Sequence, residues 1–171
     1  MCDWVNDHIP KSAHIADMGC GNGCMLFALA RDYEFTKLTG LDYSVHAVAL
    51  AQAIAASMDL EWIQFSAFDL FKQHTNYSDM LDVVMDKGTF DAISLAPPQE
   101  GVVWTADYVR HVHTMLNTDG HLVLSSCNWT KAELLTHFDA FFTLVDEVPY
   151  RTFTFGGVQG QTVTTLIFKK R

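Results

Sequence analysis

The chain has 171 residues, 49% of them apolar, enough for one sizeable core and a single domain over 1–171. Its formal net charge of −9 argues against nucleic-acid binding, which needs clustered Lys and Arg to displace counterions from phosphates. No apolar run approaches the roughly 18 residues of a membrane span, and the opening MCDWVNDHIP has no apolar signal core. Cys2, Cys20, Cys24 and Cys127 form neither a disulfide framework nor a set of four metal ligands. The expectation is a soluble, cytoplasmic monomer with reduced thiols, no bound metal and no membrane or nucleic-acid partner.

Taken in chain order, short β-rich runs alternate with helical segments. HIADM (His14 to Met18) leads through GCGNG (Gly19 to Gly23) into a helix over Cys24 to Tyr33. KLTGLD (Lys37 to Asp42) reads as a second strand, and Ser44 is a good N-cap for an Ala-rich helix over Val45 to Ser57. EWIQFS (Glu61 to Ser66) and DVVMD (Asp82 to Asp86) read as the third and fourth strands. Val109, Val112 and Leu116 recur at helical spacing before a turn, NTDG, over Asn117 to Gly120. A fifth strand, HLVLSSC, follows over His121 to Cys127, and TKAE (Thr130 to Glu133) has the pattern of a capping box. Phe142 to Val148 and Thr162 to Lys170 then read as two strands joined by a Gly-rich loop too short for a helix.

Strand–helix alternation predicts an α/β fold with a doubly wound, mostly parallel sheet and right-handed crossovers. A last strand reached without a helix is antiparallel to its neighbour, giving seven strands with one reversed edge. Ligands of such sheets sit outside the carboxyl ends of the parallel strands. Those ends hold Gly19 to Gly23, Asp42, Asp69, Asp86 to Thr89, Asn128 to Trp129, and the loop over Pro149 to Gly160.

The Gly-rich loop between a strand and a helix is a cradle for a small molecule, with unpaired N–H groups at the helix start. Asp42, roughly 20 residues on, is placed to accept ribose hydroxyls. Asp69 is placed to meet an adenine edge. A dinucleotide fingerprint needs glycine at position 24, which is Cys24; the spacing is instead D-x-G-x-G over Asp17, Gly19 and Gly21. S-adenosylmethionine, which has no pyrophosphate to seat, fits this loop better than NAD.

Three stretches, DKGTFDAISL (Asp86 to Leu95), SSCNWTKAELL (Ser125 to Leu135) and TFGGVQGQTV (Thr154 to Val163), with TGLDYS (Thr39 to Ser44), carry a more specific resemblance. With them the chain resembles class I S-adenosylmethionine-dependent methyltransferases with a Rossmann-like seven-stranded sheet. More narrowly, it is similar to the elongation factor 1-alpha lysine methyltransferases of the methyltransferase-like type. The resemblance runs from about Trp4 to the end, and the N-terminus is short beside relatives, which carry a further segment before the first strand. It implies a protein substrate, elongation factor 1-alpha, methylated on a lysine ε-amine. Adenosine would meet Asp42, Tyr43, Phe68, Asp69 and Leu70, and the methionine part would lie along Asp17, Gly19, Cys20 and Gly21.

Asp86 is the expected catalytic residue, orienting the acceptor amine by a charge-assisted hydrogen bond. The competing expectation is a carboxylate that only caps the turn after it. Lys87, Thr89, Trp129 and Phe155 are the substrate-side candidates. Trp129, Phe153 and Phe155 would supply aromatic walls that desolvate the lysine and hold its cationic product. Lys87 also reads as a solvated charge, and Asp91 as a cap of the first helical turn. The corner Asp86-Lys87-Gly88-Thr89 departs from the Asn/Asp-Pro-Pro-aromatic pattern of enzymes that methylate nucleic-acid or glutamine nitrogens, which favours a flexible amine. A small-molecule or other protein N-methyltransferase, and a non-catalytic methyltransferase-like adaptor, are the alternatives.

Overall fold

A computed structural model describes residues 1–150 and 163–171 and, between them, the backbone of two short strands at 153–155 and 158–160. Helix α1 (Cys2–His8) precedes β1 (His14–Met18), α2 (Cys24–Arg31), β2 (Lys37–Asp42), α3 (Val45–Ser57) and β3 (Gln64–Ala67). A short α4 (Leu70–Gln73) runs into a 3-10 turn (His74–Tyr77), then β4 (Leu81–Lys87), α5 (Thr89–Ser94) and α6 (Trp104–Met115). The chain closes with β5 (Leu116–Ser126), α7 (Lys131–Phe138), β6 (Phe142–Val148), β7 (Phe153–Phe155), β8 (Val158–Gly160) and β9 (Thr164–Lys170).

Seven strands form one sheet in the order β3-β2-β1-β4-β5-β9-β6. The pairs among β1 to β5 are parallel, and β9 is antiparallel to both β5 and β6. The reversed strand therefore lies inside the sheet, with β6 at the edge; the expected reversed edge is corrected in this respect. The physical reason is that β6 arrives through α7 as a parallel strand one place too far out, and β9 fills the gap. Between them β7 and β8 pair as a separate hairpin.

The two faces of the sheet carry separate apolar cores. Ala16, Met18, Val84, Leu122, Leu124, Leu166 and Phe168 pack with α5, α6 and α7 through Phe90, Tyr108, Val112 and Phe138. Ile15, Val83, Met85, Val123 and Ile167 alternate onto the other face, against Val5, Leu26, Leu29, Val48 and Ala51 of α1, α2 and α3. Ser44 caps α3 by accepting from the Ala47 N–H, and Thr130 with Glu133 forms the reciprocal capping box of α7.

Asn117 to Gly120 is not a turn before a strand. Pairing jumps from Leu81↔Leu116 to Val83↔His121, so four residues bulge from β5 opposite the single residue Asp82. Asn117 Nδ2 donates to the Asp82 carboxylate and anchors the bulge. Leu116 accordingly opens β5, and Met115 completes the buried stripe of α6. No helix among the described residues is long and apolar enough to cross a membrane.

Candidate active site

The chain runs outward from β1 to β3 and returns at β4, so the switch point of the sheet lies between β1 and β4. A cavity of about 690 Å³ opens there, across the carboxyl ends of β1, β2 and β4. Of the residues singled out from sequence, Gly19, Asp42, Tyr43, Phe68, Asp69, Leu70, Lys87 and Thr89 line it. Sequence reading missed Phe71 and the stripe Ala92, Ile93 and Ala96, which also line it. Thr89, Ala92 and Ile93 have the i, i+3, i+4 spacing of one face of α5, and Ala96 follows just past its end, a signal that was available in TFDAISLA.

The glycine loop is held to the end of β2. Gly19 and Cys20 N–H groups both donate to the Leu41 carbonyl, at 2.7 and 3.1 Å. Gly21 N–H donates to Asp42 Oδ2 at 2.8 Å, while Asp42 Oδ1 accepts from Ser44 N–H at 2.8 Å. Gly23 N–H goes to the Cys20 carbonyl and Cys24 N–H to Asn22 Oδ1. The loop thus spends these N–H groups on protein acceptors, and its glycines allow a close backbone approach. Each Asp42 oxygen keeps lone-pair capacity towards the cavity.

Gly19 has no room for a side chain: a Cβ there would stand 1.9 Å from Thr89 Oγ1, and its φ of +71° is a left-handed backbone. Thr89 Oγ1 itself donates to the Met18 carbonyl at 2.7 Å, riveting α5 to β1 at the cavity floor. Gly19→Ala is expected to lose about 2 kcal/mol of stability from the backbone and the clash. Cofactor affinity, read by calorimetry, should fall at least about tenfold with it; an unchanged isotherm and melting curve would refute this packing.

Cys20, Asp17 and Gly21 are not among the cavity-lining residues. The Cys20 side chain is buried against Gly40, and burial pushes its thiol up to about 12. Asp17 is buried under the loop, and burial with the nearby Asp86 carboxylate pushes it up to about 7. The folded state therefore holds a proton that the unfolded chain has released between about pH 4 and 7. The ionised carboxylate opposes folding above that window. Asp17→Asn is expected to melt above wild type at pH 8, with the gap closing towards pH 5; a gap independent of pH would contradict this.

Asp86, the expected catalytic residue, is not among the cavity-lining residues. It is 0% exposed, and alternation along β4 turns it towards α6, away from Lys87. Its carboxylate accepts from the N–H groups of Thr89 (2.8 Å) and Phe90 (2.9 Å) and from the Tyr108 hydroxyl (2.5 Å). Burial raises it to about 7 against the pull of these three donors. Asp86 thus caps the first turn of α5, the competing expectation. Asp91 is also turned inward: it accepts from Ser126 Oγ (2.6 Å) and Cys127 N–H (2.9 Å), tying α5 to the end of β5 instead of capping its own helix.

Trp129, expected on the substrate side, is half-buried and does not line this cavity. Its ring packs edge-on to His137 at 4.8 Å and against Phe90 at 6.1 Å, within the α5–α7 core. It borders a separate small pocket of about 110 Å³ beside β9. The Phe153 and Phe155 side chains lie outside the described residues. Lys87 is exposed at the cavity lip, and Tyr43, 85% exposed, stands at its mouth. Among the described residues no three His, Cys, Asp or Glu side chains come together as a metal site.

A switch-point cavity with a D-x-G-x-G loop, a carboxylate ending β2 and an antiparallel strand inserted before the edge defines a class I S-adenosylmethionine-dependent methyltransferase. Solved structures agree on the fold. The TehB-like SAM-dependent methyltransferase of Corynebacterium glutamicum superposes with a TM-score of 0.74 at 19% identity, over 99% of this chain and 86% of that one.

Residues 9–169 match the methyltransferase domain family, and the chain belongs to it. It is 39% identical over 168 residues to EEF1A lysine methyltransferase 2 of Homo sapiens, covering 98% of this chain and 70% of that protein. It is 36% identical over 180 residues to protein-lysine N-methyltransferase EFM4 of Saccharomyces cerevisiae, covering 100% and 78%.

Proposed function

We propose that this protein transfers methyl groups from S-adenosylmethionine to a lysine ε-amine of translation elongation factor 1-alpha. The observation that carries this reading is the likeness, over nearly the whole of this chain, to the human and yeast protein-lysine methyltransferases. The cavity chemistry agrees with it. Asp42 would accept the ribose hydroxyls, and Asp69 the adenine amine. Phe68, Leu70, Phe71 and the α5 stripe would enclose the apolar faces. Asp17, Gly19, Cys20 and Gly21 would flank the methionine part, the loop backbone of the last three being its nearest surface. Bound there, S-adenosylmethionine supplies a methyl group on a sulfonium, already reactive towards an amine.

The task left to the chain is alignment and dehydration, which supplies several kcal/mol of a transfer barrier. Asp86 contributes as a positioning residue: by fixing the Thr89 and Phe90 N–H groups it sets the Lys87–Thr89 lip. Lys87 and Thr89 stand on the side the acceptor would approach. A net charge of −9 suits a basic cytoplasmic partner met by a monomer. The test is to incubate the protein with radiolabelled S-adenosylmethionine and a cell extract. One labelled band at the size of elongation factor 1-alpha is expected; label confined to small molecules would overturn the protein-lysine reading.

A further inference from the structure

One wall of the cofactor cavity is held in place by a pair of histidines behind it. Asp69, Leu70 and Phe71 line the cavity from the start of α4, a helix of only four residues. So short a helix has little stability of its own and depends on what it packs against. Its support is α6. The Phe71 ring meets Trp104 at 4.9 Å and His111 at 5.6 Å, both edge-on. Immediately past α4, His74 lies flat on His111, with ring centroids 3.7 Å apart and planes 8° from parallel. His74 is tied back to the cavity wall as well, its Nδ1 donating to the Leu70 carbonyl at 3.1 Å.

This arrangement suits a neutral His111 and not a charged one. His111 Nδ1 is buried and has no hydrogen-bond partner among the described residues. A protonated imidazole carries a proton on both nitrogens, so it would bury an N–H there without an acceptor. It would also lay a charge against the face of His74, and two charged rings at this spacing repel. Burial first, and then the His74 ring, hold the His111 pKa below the ordinary histidine value. Asp107 and Arg110 of α6 pull on it in opposite directions and are paired with each other. On α4, Asp69 and Lys72 are likewise paired, and burial pushes the Tyr77 hydroxyl of the 3-10 turn up, away from ionisation.

We propose that the His74–His111 stack is a proton-sensitive latch on the cofactor cavity. With His111 neutral, it clamps α4 to α6 and keeps Asp69, Leu70 and Phe71 against the adenine. Protonation of His111 parts the rings, frees α4 and releases the cofactor; the proposal rests on the adenine placement given above. The sign follows from linkage. Cofactor binds the closed form, in which His111 is neutral, while the open form also accepts a proton. Affinity is therefore full above the ordinary histidine value of about 6.5 and falls as pH drops below it.

The experiment is calorimetric titration with S-adenosylmethionine from pH 8 to 5.5, comparing wild type with His111→Phe, which keeps a flat ring and removes the titration. Asp17, Asp86 and the cofactor's own groups titrate in both proteins, so the ratio of the two affinities is the quantity read. The ratio of wild-type to variant affinity should fall roughly three- to tenfold between pH 8 and pH 5.5, as one linked proton requires. Hydrogen exchange reads the opening itself. After correction for the intrinsic rate, peptides covering Leu70 to Tyr77 should lose protection at pH 5.5 in wild type and not in His111→Phe, while β1 and β4 keep theirs. A constant affinity ratio, or wild-type exchange over 70–77 that does not change with pH, would overturn the latch. So would a loss of protection spread through the whole sheet. If Phe71→Ala binds the cofactor as tightly as wild type at pH 8, the adenine placement fails instead.

Discussion

Asp42→Ala should abolish measurable cofactor binding while leaving a folded protein. Two losses combine. The ribose would lose an ionised acceptor for both hydroxyls, and hydrogen bonds to charged groups are worth roughly 1.5–3 kcal/mol each. The glycine loop would also lose its tie, because Asp42 Oδ2 holds Gly21 N–H at 2.8 Å. Together these correspond to about two to four powers of ten in affinity. Ser44 N–H, released from Oδ1, sits at the start of α3 and can take water, so the fold should survive. Calorimetric titration with S-adenosylmethionine checks this, alongside a far-ultraviolet spectrum. Retained tight binding would mean that the ribose sits elsewhere.

Asp86→Ala should behave differently, as a folding defect first. It leaves the Tyr108 hydroxyl and the Phe90 N–H without their acceptor in a buried place, and the Thr89 N–H without one in a part-buried place. At roughly 1–3 kcal/mol for each buried group left unpaired, a loss of about 4 kcal/mol is expected. That is a large share of the roughly 5–15 kcal/mol that holds a typical domain. Tyr108→Phe removes one donor and leaves the carboxylate its two backbone partners, so about 1 kcal/mol is expected. Urea unfolding of the two variants measures both. If Asp86→Ala unfolds at the wild-type midpoint yet fails to turn over, Asp86 acts on the acceptor amine itself.

The contrast between these two aspartates marks how far the sequence could be read. Asp42 ends its strand with an adjacent glycine loop to bind, and its place follows from spacing alone. Asp86 also ends a strand, but which face it takes depends on where strand alternation falls against α6. Its partner Tyr108 is 22 residues away, on a helix whose rotation no local pattern sets. Trp129 shows the same limit: no local pattern in its segment records that its ring packs against His137 and Phe90.

Fold class was more legible than site detail. Alternating strands and helices, the Ser44 cap and the Thr130–Glu133 box are local signals, and they appear where expected. The interior position of β9 is a long-range outcome: Thr164 to Lys170 must pair with β5 on one side and β6 on the other. No residue within that strand records the choice. The bulge at Asn117 to Gly120 looks like a turn locally because Asn, Asp and Gly favour turns; only its partner Asp82 makes it part of a strand.

The most direct test of lysine methylation is the acceptor itself. Recombinant protein, S-adenosylmethionine and purified elongation factor 1-alpha should be combined and the factor digested for peptide mass spectrometry. One lysine-containing peptide should gain one or more methylene masses, on the ε-amine, and lose that gain with Asp42→Ala enzyme. An unmodified factor, or methyl groups on a residue other than lysine, would contradict it.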